Sequence, residues 1–196
     1  MKYKLIIAAS LLLILGAWMN KSDLNSSIQK VEFESNSIDK PQTLFVPSQV
    51  DYEGFLELVK KVKEIRRGKL VELDTFLAMA KDHKTVILDT RSEAKYKSKH
   101  IKGAVHLNFS DFSSTSLKNL IPDSDTRVLI YCNNNFFGDE VNFVLKSRPL
   151  ALNIPTYINL VGYGYKNVYE LSDLHSIDDS QLIFEGKSVE SLKLKK

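Results

Sequence analysis

Apolar residues along the chain follow three successive patterns. Leu5 to Met19, LIIAASLLLILGAWM, is an unbroken apolar run with Lys2 and Lys4 before it and Asn20-Lys21-Ser22-Asp23 after it. Residues 21–50 are rich in Ser, Asn, Asp, Lys and Gln, contain Pro41 and Pro47, and show no apolar period, so they predict a polar linker. From Asp51 the spacing becomes helical: Phe55, Leu56, Leu58, Val59, Val62 and Ile65 recur on one face, and Arg66-Arg67-Gly68 supplies a basic last turn and a stop. A short second helix is predicted over residues 73–81. After it come four compact apolar runs with strand character: TVILDT (85–90), AVHLNF (104–109), RVLIYC (127–132) and KNVYEL (166–171). Helical segments are expected between them, at 92–99 and from about Asp139 to the interruption at Pro149. Strands that alternate with helices predict an α/β fold with a mostly parallel central sheet flanked by helices.

Residues 1–20 have the charge-then-apolar order of an export signal. The run is 15 residues long, whereas a helix needs about 20 to span a bilayer. Leu15 stands two residues before Ala17, where a small residue is preferred for cleavage, so a removed signal and a retained N-terminal membrane anchor both stay open. Either form places the folded part outside the cytoplasm, in the periplasm or tethered facing it. No cysteine follows the run to carry a lipid. The formal charge of +3 falls to +1 without Lys2 and Lys4, and no long basic block remains, which makes nucleic acid a poor partner. The oligomeric state is left open.

One cysteine, Cys132, means that no internal disulfide exists and that the core alone must stabilise the fold. His83, His100, His106 and His175 lack paired ligand spacing, so no metal is expected, and no cofactor motif is present. Cys132 closes the third predicted strand and opens the loop CNNNFFGDE. In parallel α/β sheets ligands bind beyond the carboxyl ends of strands, so this position is a candidate site rather than only a core position.

The stretch VILDTRSEAKYKSKHIKGAVHLNF (86–109) resembles the first half of a rhodanese-like domain, through Asp89, Arg91, Glu93, Tyr96, His100, Ile101, Gly103 and Ala104. RVLIYC resembles the strand that delivers that family's catalytic cysteine, and GYGYKNVYEL (162–171) its later Gly-aromatic-x-Asn-Val strand. The resemblance divides the chain into a 51–70 helix packed on the domain, a rhodanese-like domain over 71–185 with an insertion at about 147–163, and a basic tail over 186–196. It implies that Cys132 is the catalytic thiol and takes a sulfane sulfur as a persulfide. Asn133, Asn134, Asn135, Phe136, Phe137, Gly138 and Asp139 would then form the substrate loop. Asp89, Arg91, His100 and Gly103 would be structural, the first two as an ion pair that caps loop amides.

Amides converging on a thiol lower its pKa and bind anions. The three asparagines are expected to supply positive φ angles where the family has glycine. The segment 147–165 is expected either to pack beside the loop with Phe136 and Phe137 and shape an apolar, aromatic pocket mouth or only to extend the core. One departure stands out. The family's sulfurtransferases carry an arginine five residues after the cysteine and related phosphatases six after, but here Phe137 and Gly138 hold those positions and Asp139 and Glu140 follow. An anionic donor would lose its main counter-charge. Two functions remain: a sulfurtransferase or persulfide carrier acting on a small sulfur-containing substrate or a protein thiol, or a non-catalytic binding module of the cell envelope.

Overall fold

Five parallel strands build the centre of the molecule, seen in a computed structural model that describes residues 47–193. Their order is Leu70–Val71 (β1), Val168–Leu171 (β7), Arg127–Tyr131 (β5), Thr85–Asp89 (β2) and Val105–His106 (β4), and every neighbouring pair is parallel. Two small pairings lie outside this sheet: His100–Ile101 (β3) runs antiparallel to Phe184–Glu185 (β9), and Phe136–Phe137 (β6) parallel to His175–Ser176 (β8). The expected export signal and nearly all of the 21–50 linker lie outside the described residues. No helix among those described is long and apolar enough to cross a membrane.

Strand alternation decides what each face of the sheet buries. Leu88, Val128, Ile130 and Val168 face one side, where they meet Val62 of helix Tyr52–Arg67 (α1), Leu117 of Ser114–Leu120 (α4), and Tyr157, Ile158 and Leu160 of Asn153–Gly162 (α5). Ile87, Leu129, Tyr131 and Leu171 face the other, against Leu73 and Phe76 of Leu73–Ala80 (α2) and an aromatic group of Phe136, Phe143 and Phe184. Asp51 starts α1 by accepting the Gly54 N–H at 2.8 Å, and Arg66 and Arg67 fill its last turn, where cations suit the helix dipole.

The structure differs from the sequence expectations after β5. No helix begins at Asp139. Asn133–Asn135 forms one 3₁₀ turn, β6 follows, and residues 138–152 run without an α-helix, with one further 3₁₀ turn at Arg148–Leu150, before α5 begins. Pro149 and Pro155 explain the shift: Pro149 ends any helix before it, whereas Pro155 sits in the first turn of α5, where its missing N–H is not needed. Much of the stretch 147–163 is occupied by helix α5, which connects β5 to β7. Likewise, the expected basic tail contains a helix, Lys187–Lys193 (α6), fastened where Ser188 Oγ donates to the Ser98 carbonyl at the end of helix Glu93–Ser98 (α3) at 2.8 Å.

Candidate active site

Cys132 lies one residue beyond β5, on the face shared by Val128 and Ile130, and so points under the N-terminus of α5. Leu152, the residue capping α5, makes no side-chain cap bond. The sulfur stands where a capping oxygen would. The Asn134 N–H donates to Sγ at 3.4 Å, and the N–H groups of Asn153 and Leu152 also favour the thiolate. Burial nonetheless dominates: Cys132 is 1 % exposed, and loss of solvation, with a smaller push from the Glu170 carboxylate, sets its pKa above the usual thiol value. The net lowering expected from the loop amides alone is thus reversed.

Above the thiol is a cavity of about 320 Å³. Its walls bring together three cations from three elements, Arg91, Lys95 and Lys146, with Asn133 and Asn134 and the apolar Val144, Leu150 and Leu152. Position 137 or 138 supplies no cation. Arg91 and Lys95 are already engaged: the Arg91 guanidinium grips Asp89 and donates to the Asn142 and Lys99 carbonyls at 3.1 and 2.7 Å, and Lys95 Nζ donates to the Val141 carbonyl. The bonds to the Asn142 and Val141 carbonyls also fasten the 138–152 segment. Asn134 completes the closure: its Nδ2 donates to the Lys146 carbonyl at 2.7 Å and its Oδ1 accepts the Lys146 N–H at 3.0 Å. The segment is strapped over the thiol by side chains from both sides of the cavity.

The asparagine run performs a different task from the one expected. No residue in it has positive φ; the single positive φ of the loop belongs to Gly138, at +90°. Asn135 is a buried junction. Its Oδ1 accepts the Cys132 N–H at 2.9 Å and Asn153 Nδ2 at 3.0 Å, while its Nδ2 donates to the Leu171 and Asp173 carbonyls at 2.8 and 3.0 Å. One amide thus ties the cysteine, the start of α5 and the end of β7. Asn135→Ala leaves these groups unpaired, and urea denaturation is expected to show a loss of about 2–3 kcal/mol. A loss under about 0.5 kcal/mol, the range of an ordinary surface change, would contradict this role.

Other members of the expected loop lie away from the cavity. Phe136 is fully buried and packs edge-on against Tyr131 and Phe184, so it belongs to the core and cannot shape a pocket mouth. Phe137 is half exposed on β6 and does not line the cavity. The Asp139 carboxylate accepts from Lys99 Nζ at 2.9 Å and from Asn142, and so is neutralised rather than presented to a ligand. His100 Nδ1 lies 2.7 Å from the Tyr96 carbonyl and its ring stacks on Tyr96, whereas Gly103 turns the chain at φ +80°. Lys95, Lys146, Leu152 and Asn153 were not among the expected site residues. The last two are legible only once the helix start is placed at 153.

The molecule is thus an α/β domain whose all-parallel central sheet presents a cysteine at the carboxyl end of a central strand, the end at which such sheets bind ligands. Residues 72–173 match the Rhodanese-like domain, and the chain belongs to that family. No curated protein matches it. Among solved structures it is similar to a rhodanese from E. coli at 16 % identity and TM-score 0.35, over 53 % of this chain and 99 % of that one. It is also similar to the Alr3790 protein from Anabaena sp. at 20 % identity and TM-score 0.38, over 58 % of this chain and 78 % of that one. A thiosulfate sulfurtransferase from Pseudomonas aeruginosa matches at 18 % identity and TM-score 0.40, over 61 % of this chain but 21 % of its own length.

Proposed function

We propose that this is an exported sulfurtransferase or persulfide carrier in which Cys132 holds the transferred sulfur. The observation that carries the reading is the placing of Sγ at the floor of the cavity, where it accepts the Asn134 N–H at 3.4 Å beside Leu152 at the start of α5. The Cys132 thiolate attacks the outer sulfur of a donor persulfide, RS–SH. The donor S–S bond breaks and leaves RS⁻ with the electron pair, the new S–S bond forms at Sγ, and the proton stays on the outer sulfur. An acceptor thiolate then attacks that sulfur and regenerates the Cys132 thiolate. No net oxidation occurs. With Phe137 and Gly138 in place of a guanidinium, the loop does not suit standard thiosulfate chemistry. The donor is a small-molecule or protein persulfide, and the acceptor is a small thiol or a protein thiol. Export rests on the pattern of residues 1–20, and sequencing the mature N-terminus after cell fractionation tests it.

Incubating the full chain with persulfide donors and reading intact mass is expected to show an adduct of one sulfur atom, removed by a reducing thiol. Because the thiolate is the nucleophile and its pKa lies above the usual value, the loading rate is expected to rise about tenfold per pH unit from pH 7 to 9. A flat profile over that range would contradict a buried, protonated resting thiol. The burial of Cys132 also favours a second reading, a non-catalytic binding module of the cell envelope, and a thiol that no donor modifies at any pH would favour it over transfer.

A further inference from the structure

Glu170 is an acid in an improbable place. It lies on β7, 4 % exposed, with Ile130 of β5 as its register partner. Cys132 is two residues beyond Ile130 on the same face, which places it roughly 8 Å away by strand geometry. A buried carboxylate so near would oppose formation of a thiolate unless paired. Its partner comes from outside the family region: Arg66, in the last turn of α1, donates Nε and Nη2 to the two carboxylate oxygens, each at 2.5 Å. Arg66 and Glu170 also line a cavity of about 420 Å³ with Asn135 and Asn153, the residues that hold Cys132 and the start of α5.

We propose that Arg66 is a positioning residue for Cys132: its two-pronged grip holds Glu170 neutralised behind the thiol, so that the N-terminal helix α1 tunes the site. The proposal rests on Cys132 acting as a thiolate. Other charged and titratable groups are arranged differently. Arg91 and Lys95 line the cavity above the thiol, Lys146 lines both cavities, and Arg148 lines the second without an ion pair to Glu170, whose carboxylate is held by Arg66. Tyr157 of α5 lies near Glu170, and burial raises its phenol pKa to about 12, so it stays neutral across the useful range. Asp173 follows β7 beyond Asn135 and pairs with His175. Glu170 is therefore the carboxylate that sits behind the sulfur, and Arg66 the cation that answers it.

The test compares alkylation rate against pH for Cys132 in the full chain, with wild type, R66Q, E170Q and R66Q/E170Q. In R66Q the midpoint is expected to move up by about one pH unit, roughly tenfold in rate at a fixed pH below it. In the double variant it should return to wild type or below, and in E170Q, where the cation stands unopposed, it should fall lowest. An R66Q profile that overlays the wild type shows that Glu170 has turned away or taken up a proton, and overturns the proposal. Should R66Q not fold, E170Q and the double variant still decide it, since equal midpoints for those two would show that the Arg66 charge is not felt at the sulfur. Sulfur loading of the wild type is scored separately. Its failure would remove the transfer reading, while the alkylation comparison would still report on Arg66.

Discussion

Asp89→Ala is expected to destabilise the domain by about 3–5 kcal/mol, measured by urea or thermal denaturation, because it leaves a buried guanidinium with no counter-charge. Asp89 is fully buried at the end of β2 and Arg91 is 2 % exposed. The carboxylate accepts Arg91 Nη2 at 2.6 Å, Arg91 Nε at 3.0 Å, the Arg91 backbone N–H at 3.0 Å and the Tyr131 hydroxyl at 2.6 Å. Arg91 lies over the Phe143 ring at 4.5 Å, so its planar cation is packed as well as paired. Replacing both partners, as in Asp89→Leu with Arg91→Met, should recover part of the loss, since removing a whole buried pair costs less than breaking one. A double variant no more stable than Asp89→Ala would contradict this. The pair also matters to the site: Arg91 holds the Asn142 carbonyl and walls the cavity, so Asp89→Ala is expected to loosen the 138–152 segment and speed alkylation of Cys132.

The sheet and the cysteine's address were legible in the chain because they rest on strong local signals. TVILD and RVLIY are β-branched and apolar runs of strand length, and the structure pairs them residue by residue from Thr85 with Arg127 to Asp89 with Tyr131. The alternation that puts Tyr131 with the α2 core and Cys132 under α5 follows from the same period. The Asp-x-Arg pattern was readable as an ion pair before any geometry was known.

What was not legible depends on contacts distant in sequence. Asn133, Asn134 and Asn135 look alike in the chain, yet Asn134 straps Lys146 while Asn135 joins Cys132, Asn153 and β7. Neighbouring amides differ only in which backbone happens to fold past them. Phe136 and Phe137 show the same limit: β6 directs one into the core and the other to solvent. Asp139 stands just after the position where the family carries its cation, and nothing near it in the chain shows that Lys99, forty residues earlier, pairs with it. Placement of the crossover helix failed because 139–147 carries apolar residues without the fixed start that Pro155 lends to α5.

Cys132→Ser is expected to reduce sulfur loading to background while leaving the fold in place. Serine is nearly isosteric, and its hydroxyl can accept from the Asn134 N–H that now reaches Sγ at 3.4 Å. The change is expected to cost about 1–3 kcal/mol, mainly because the hydroxyl proton enters a site with few acceptors. Chemistry is lost for a separate reason: a persulfide needs a sulfur that is both nucleophile and leaving group, and a serine hydroxyl is not ionised near neutral pH. With a single cysteine in the chain, any remaining adduct on the Ser variant would have to lie on another side chain, which would contradict Cys132 as the carrier. The same variant separates the two functional readings. A binding module depends on the strapped surface formed by Asn134, Lys146, Val144 and Leu150, which Cys132→Ser leaves intact, so partner capture would persist while loading was absent in both proteins. A sulfur carrier loads as wild type and fails as Ser, so loading of the wild type is the result that distinguishes the two.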